Sequence, residues 1–306
     1  MKPLRDIVVT WDLLVVDAPS VAHSAFYSLR DPMLSRLGVP TNAVMGFYTT
    51  LLDLVRRFCA GKIVTVFDGL VSFRSTLFKG YRTRRSRCPG ELRLQLRMLP
   101  ELCRAMGWFP VWDRNAEACD LIASIHSHAM ERNWRIAIVT KDRRLMMLMN
   151  SNSSLVMKAH VFWDLVEPRD CLDLYHVPPY RIKEVMALAG DPLLGIPGIQ
   201  RVGVRTAATL VSRFGSAAAV FDHLEELPER TREKFREQKA IYELARALVE
   251  LKTDYQVRRL VDKRSRKVDP EAFIAVCDKY GLERLKREFD RRFPLELFSE
   301  AVLSGL

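Results

Sequence analysis

The sequence predicts an α/β domain built on a parallel sheet, followed by an all-helical region. Three observations carry this. The apolar, β-branched runs of the first half are continuous rather than alternating, helix-period segments separate them, and such runs stop after about residue 178. A strand that is apolar on consecutive residues must be covered on both faces, and the crossovers of a parallel sheet supply helices for both.

Leu13-Leu14-Val15-Val16 is the first strand and runs into Asp17. Lys62 to Phe67 is the second and runs into Asp68; Trp108 to Trp112 is the third, ahead of a helical stretch near whose start lie Glu117 and Asp120. Arg135 to Thr140 is the fourth and leads through Lys141 to Asp142. Ligands of open parallel sheets bind outside the carboxyl ends of the strands. Asp17, Asp68 and Asp142 stand at or just past that edge. Any one of them could simply cap a helix. Several crowded together repel and raise one another's pKa unless a cation lies between them, which predicts oxygen ligands for magnesium or manganese.

The stretch from Asp68 to Leu99 is the most basic: Arg74, Lys79, Arg82, Arg84, Arg85, Arg87, Arg93 and Arg97 against Glu91 alone, with Phe73, Phe78 and Tyr81 interleaved. A solvated charged face is the plain reading, but a run of one sign repels itself unless an anion lies against it. Phosphate contacts with stacking aromatics are how single-stranded nucleic acid is held. Further on, Tyr180 to Ala189 reads as a helix, then Gly190-Asp191, Gly195, Gly198 and Gly203 precede a helix starting near Val204, with Arg201 and Arg205 beside it. Free N–H groups at such a helix start suit a phosphate; a glycine turn between packed helices is the alternative. Helices over about 229–251 and 269–292 complete the chain, with no internal repeat.

The 306 residues carry 48 Lys plus Arg against 37 Asp plus Glu, a formal charge of +11, which favours a polyanionic partner, nucleic acid ahead of membrane. No apolar run reaches the ~20 residues of a spanning helix, and the N-terminal apolar stretch lacks a small-residue cleavage site. The chain is therefore expected to be soluble and not secreted, in a reducing intracellular compartment, a mitochondrion or other organelle included. The six cysteines, Cys59, Cys88, Cys103, Cys119, Cys171 and Cys277, show no paired spacing and predict neither disulfides nor zinc. His126 and His128, two apart on a helix, face different ways and are expected to be ordinary core or surface histidines. The run Lys263-Arg264-Ser265-Arg266-Lys267 reads as a nucleic-acid contact, an address or a solvated linker.

Seven segments, in order, resemble the 5′ nuclease superfamily, that is the 5′ to 3′ exonuclease domain of bacterial DNA polymerases and its flap endonuclease relatives: VVDAPSVAHSAFYSL, PTNAVMGFYTTLLDLV, VFDGLVSFRSTLFKGYRTRR, EACDLI, IVTKDRRLMML, ALAGDPLLGIPGI and RTAATLVSRFGS. The resemblance covers nearly the whole chain. It implies a PIN-like (resolvase-like) nuclease domain over 1–178 with a basic helical arch at about 70–100, and an all-α H3TH helix-hairpin-helix domain over 179–260. Helices in 261–306 are expected to pack back on the core.

It also implies two metal ions in a carboxylate cluster. Asp17 and Asp68 match the acids of the first two strands, and Glu117 and Asp120 match an E-A-D-D motif whose first aspartate is Cys119 here. Asp142 matches the start of D-x-D, where Arg144 replaces the second acid, and Asp191 matches G-D-x-x-D, where Leu194 replaces the last. The first-metal side thus keeps Asp17, Asp68 and Glu117, while the second-metal side is depleted. A neutral thiol is a poor ligand for a hard cation. A like charge at ~4 Å costs about 4 kcal/mol at an effective dielectric near 20, and a divalent ion about doubles it. The expected cofactor is none, or a single magnesium or manganese ion. Arg144 is expected to stand among Asp17, Asp142 and Asp191 as an internal counterion.

By the same resemblance, Arg74, Lys79, Tyr81, Arg82 and Arg85 of the arch, with Gly198, Gly203, Arg205 and Thr206 of the hairpin, form the nucleic-acid grip. Arg82 takes the place of a lysine that contacts the scissile phosphate, keeping charge but changing geometry. Arg201 stands where a glycine is usual; a non-glycine residue adopts positive φ at a cost, which puts the tight turn and any associated potassium site in question. The predicted function is a pseudonuclease that binds branched or 5′-ended DNA or RNA, or docks on a ribonucleoprotein or replication assembly. The alternatives are a working 5′ nuclease with a reduced metal site and a protein-interaction scaffold.

Overall fold

Among the described residues seven strands form one sheet, in the order β1 (Lys2–Pro3), β7 (Phe162–Val166), β6 (Ser153–Ala159), β5 (Ile136–Val139), β2 (Leu13–Asp17), β3 (Lys62–Val66), β4 (Phe109–Val111). The computed structural model describes residues 2–3, 11–28, 33–83, 88–159, 162–262 and 267–293. Strands β6 to β4 run parallel, while β7 lies antiparallel to β6 and β1 antiparallel to β7. The four strands read from the sequence are contiguous, in the order β5-β2-β3-β4, and β4 forms one edge of the sheet. The added edge was not legible because Ser153–Ala159 and Phe162–Val166 mix polar residues into short runs.

Around the sheet lie α1 (Ala18–Ser28), α2 (Asn42–Phe58), α3 (Phe73–Leu77), α4 (Gly90–Ala105), α5 (Ala118–Glu131) and α6 (Asp170–Tyr175). The helical region follows with α7 (Ile182–Ala189), α8 (Val204–Phe214), α9 (Ala217–Asp222), α10 (Glu229–Glu237), α11 (Lys239–Val249) and α12 (Arg258–Val261), and the chain returns through α13 (Pro270–Tyr280) and α14 (Glu283–Arg292). The two long helical stretches of the sequence are each divided, at Gln238 and at Gly281, where a left-handed glycine (φ +65°) ends α13. No described helix is long and apolar enough to cross a membrane.

Alternation along β2 explains why its whole run is apolar. Leu14 and Val16 join a core with Tyr48 of α2, Leu99 and Leu102 of α4, and Phe273 and Phe289 of α13 and α14. Leu13 and Val15 face the other side, where Ile122 of α5 is continuous with Met186 of α7, Val211 of α8 and Leu248 of α11. The helical region therefore shares one core with the sheet instead of closing on its own. Register then sets the site: Asp17 pairs with Val66 and Val16 with Val139, so Asp17, Asp68 and Asp142 emerge at one edge.

The base of the arch is seated on the turn after α7. Arg82 donates its amide to the Leu194 carbonyl at 2.7 Å. A Cβ added to Gly195, itself at φ +68°, would stand 2.3 Å from the Gly80 carbonyl oxygen. Arg84 and Arg85 lie outside the described residues, as do Arg87 and the run 263–266. Gly195→Ala is expected to destabilise the protein by about 2 kcal/mol or more, read as a lower urea midpoint, because strain and backbone clash coincide there.

Candidate functional site

The carboxyl edge of the sheet gathers the acids that the sequence singled out, but each is already committed. Asp17, buried at the end of β2, accepts from the Ser20 amide (3.1 Å), the Ser20 hydroxyl (2.6 Å) and the Thr140 hydroxyl (2.7 Å). Burial, with the nearby Asp68 charge, raises its pKa in spite of those bonds. Asp68 accepts the Ala118 amide at 2.8 Å and lies 3.7 Å from Arg82, and with its side chain 37% exposed it is the open acid of the group.

Glu117 is the hub. Its Oε2 receives Arg82 at 3.0 Å and the Tyr81 hydroxyl at 3.0 Å, with Arg74 and Arg144 each at 3.5 Å, while Oε1 accepts the Ser72 hydroxyl. Burial alone would raise this carboxyl; Arg82, Arg144 and Arg74, aided by Ser72, overcome it and pull the pKa down to about 2. Asp142 caps the short 3-10 turn Arg143–Leu148, accepting the Arg144 amide at 3.0 Å. The Arg144 side chain folds back over that cap, with Nη2 at 2.6 Å and Nε at 3.1 Å, and holds the Asp142 carboxyl well below its usual range against the opposing effect of burial. Arg144 has no exposed surface; its Nη2 also reaches the Cys119 sulfur at 3.2 Å. Burial pushes the Cys119 thiol well up, so it remains neutral.

Arg144 thus acts as an internal counterion, with Asp142 the one partner of the three expected. It takes Asp142, Cys119 and Glu117 but neither Asp17 nor Asp191. Asp17 is occupied by hydroxyls, and Asp191 folds into its own turn, accepting the Leu193 and Leu194 amides at 2.8 and 3.1 Å. Leu194 has joined the core. Asp120 points away from the group toward the end of α11, in a bidentate pair with Arg74 (2.7 and 2.8 Å).

Two arch residues are corrected by burial. Arg74 has no exposed surface: besides Asp120 it bonds the Leu248 carbonyl at 2.8 Å and the Glu250 carbonyl, so it clamps α3 to α5 and α11 and is not available to nucleic acid. Tyr81 is buried against Glu117, its ring centroid 5.5 Å from the Arg82 guanidinium and 5.9 Å from that of Arg144. Lys79 is exposed, and Arg82 is partly so. In the hairpin, Arg201 takes φ +61°, because the turn requires it and the exposed side chain meets no obstacle. Gly198 is needed for packing, since a Cβ would stand 2.2 Å from the Ala189 oxygen. Gly203, Arg205 and Thr206 are exposed at the start of α8, which has no side-chain cap, so its first N–H groups face outward. His126 and His128 are buried, on Ser153 and Asp262.

Sequence reading missed Ser72, Ser20 and Thr140, whose hydroxyls tie down Glu117 and Asp17. Ser72 was findable as the cap before Phe73. At the mouth of the group lies a cavity of about 400 Å3, lined by Asp68, Ser72, Ser75, Thr76, Arg82 and Glu117.

A divalent cation does not fit this donor set. No group of three or more His, Cys, Asp or Glu among the described residues is placed to hold one. Glu117 and Asp142 already carry guanidinium groups, and the polar atoms left without partners here, Arg144 Nη1 and Arg82 Nε, are donors. What the group lacks is an acceptor, not another cation.

The family described as 5′-3′ exonuclease, N-terminal resolvase-like domain, matches residues 12–175, and that of the 5′-3′ exonuclease C-terminal SAM fold matches residues 177–271. DNA polymerase I of Mycobacterium leprae is 32% identical over 79% of this chain and 27% of its own length, and the thermostable DNA polymerase I of Thermus thermophilus is 29% identical over 90% and 33%. The chain therefore spans about a quarter to a third of those polymerases. A 5′-3′ exonuclease of Aquifex aeolicus is 26% identical over 92% of this chain and 96% of its own. Among solved structures, phage T5 5′-exonuclease with bound zinc superposes with a TM-score of 0.65 over 90% of this chain and 98% of that one, at 17% identity. The catalytic core of Rad2 in complex with DNA substrate gives 0.59 over 91% and 90%, at 15% identity.

Glu117, pulled down to about 2, and Asp142, held well below the usual carboxylate range, contribute stability that is present above that range and lost as pH falls through it. Thermal unfolding should therefore show Tm dropping steeply below about pH 4.5. Glu117→Gln should cost about 3 kcal/mol at neutral pH by stranding buried cations, and should flatten the acid limb.

Proposed function

The chain belongs to the 5′-3′ exonuclease family, and from that membership we propose that it is a DNA-binding pseudonuclease whose metal centre has become a self-neutralised arginine–carboxylate network. The observation that carries this reading is the occupancy of the acids: Glu117 faces three arginines and Asp142 is gripped by Arg144. Two-metal hydrolysis needs carboxylates free to clamp both sides of the displaced phosphate. Here a metal ion would have to displace Arg144 from Asp142, leaving a fully buried cation without its partner, a penalty of about 3–5 kcal/mol.

Binding does not require that displacement. Val204, Arg205 and Thr206 present amides and charge at the start of α8, a seat for a backbone phosphate. The partly exposed Arg82 lines the cavity beside Asp68, where a second phosphate would approach, and Lys79 of the same segment is exposed. The guanidinium of Arg82, whose Nε has no partner, favours an anion there. DNA is the partner supported by the relatives, since Rad2 was solved with a DNA substrate. The same reading places the nuclease-like unit at 1–178 and the hairpin unit at 179–260, both contributing to one footprint.

A labelled 5′-flap duplex should bind equally well, within about 3-fold, in EDTA and in magnesium, with log affinity falling by about 0.9 per log salt for each phosphate contacted. No cleavage should appear with magnesium or manganese. Turnover abolished by Asp68→Ala would instead establish a working nuclease with a reduced site, and absence of any salt-dependent binding would favour a protein scaffold. As a converse, Cys119→Asp/Arg144→Asp/Leu194→Asp should acquire a rise in Tm on adding magnesium that the parent chain lacks.

A further inference from the structure

The helical region carries a second basic surface beside the hairpin. Helix α10 has its cations in two rows, each spaced one turn apart. Arg232 and Arg236 both pair with Glu225. Arg230 and Lys234, on a different side, pair with no carboxylate among the described residues and line a cleft of about 210 Å3 together with Arg201 of the hairpin turn. The Gln200 amide donates to Gln238 Oε1 at 2.8 Å, which fixes the turn against the α10–α11 junction and keeps the three cations in one place.

Arg201 is also conformationally out of the ordinary. Five non-glycine residues have positive φ among those described. Cys59 and His176 cap helices and Asn133 lies just past one, where a left-handed residue is the usual stop. Only Arg82 and Arg201 of the five do not end a helix. A glycine would hold φ +61° at lower cost, so the guanidinium at this turn has a use that outweighs the strain.

We propose that this cleft seats a backbone phosphate of duplex DNA, adjacent to the phosphate held at the start of α8. The inference rests on the DNA-binding reading and extends it: Arg201 lies two residues before Gly203 and Arg205 two after, so one turn serves a seat on each side. The cleft is lined by polar side chains alone, which excludes an apolar protein anchor. Glu233 and Glu237 on its wall weaken the field, so a free phosphate ion gains little. A duplex already anchored at α8 presents its next phosphate at high effective concentration and gains the full contact.

The experiment is fluorescence anisotropy of a labelled 5′-flap duplex in EDTA from 50 to 200 mM KCl, with Arg230→Gln/Lys234→Gln, Arg201→Gly and Arg205→Gln compared with the parent chain. The double variant should reduce the salt slope by about 1 and weaken binding about 5-fold or more at 50 mM, with Tm unchanged. Arg201→Gly should weaken binding about 3-fold while Tm stays level or rises, since glycine relieves the turn. If Arg201→Gly lowers Tm and leaves binding intact, Arg201 is structural and the proposal fails. If the parent chain binds and Arg205→Gln weakens it while the double variant keeps the parental slope, the cleft is refuted and the α8 seat survives. If the parent chain shows no salt-dependent binding, the DNA-binding reading falls, and the cleft with it.

Discussion

Two guanidinium groups without any contact with solvent, Arg74 and Arg144, hold the working edge of this protein in one arrangement. A buried charge is tolerated only when it is paired and its donors are used. Arg74 meets that demand by reaching from the arch to Asp120 of α5 and to two carbonyls at the end of α11, so a single side chain joins three parts of the chain. Arg144 is paired within the sheet edge, on Asp142, Cys119 and Glu117, with only its Nη1 unpartnered. Glu117 lies between the two and is shared by both. Neither the arch base nor the helical region can shift without exposing one of these charges unpaired.

The three departures from the family pattern are mutually consistent in space. An arginine at 144 needs a neutral or negative neighbour that leaves room, and Cys119 provides a thiol that stays protonated. Leucine at 194 no longer offers a carboxylate; it fills the core, and its carbonyl takes the Arg82 amide. The result is an edge whose acids are engaged internally, with Asp68 the most open of them and the Nε of Arg82 and Nη1 of Arg144 left without partners. The cavity beside it presents the carboxylates of Asp68 and Glu117, the partly exposed Arg82 and the hydroxyls of Ser72, Ser75 and Thr76.

Much of this was legible in the chain. Continuous runs at Leu13–Val16, Lys62–Phe67 and Arg135–Thr140 disclosed a sheet covered on both sides, and an acid at the end of each run disclosed the edge that matters. The helix start near Val204 was readable from its glycines and falls at Val204 itself. Harder were features that depend on distant partners. The β6–β7 edge has no apolar periodicity strong enough to announce it. Arg74 looked like its basic neighbours, and only the arrival of Asp120 and the α11 carbonyls removes it from solvent. Arg201 looked costly in a tight turn, yet the turn imposes left-handed backbone on it.

Residue types and their order determined the fold class and the edge, because hydrophobic period and strand ends are local properties of the chain, and the resemblance to the family marked positions 119, 144 and 194 as departures from its acids. Which carboxylate each arginine serves was decided only by the tertiary structure. Pairing depends on burial and distance: Arg144 lies on Asp142 because a 3-10 turn brings it back over its own cap, and Arg74 leaves the surface because α11 closes over it. The positive charge that the sequence showed as one surplus is thereby divided into cations that hold the protein together and cations that face outward.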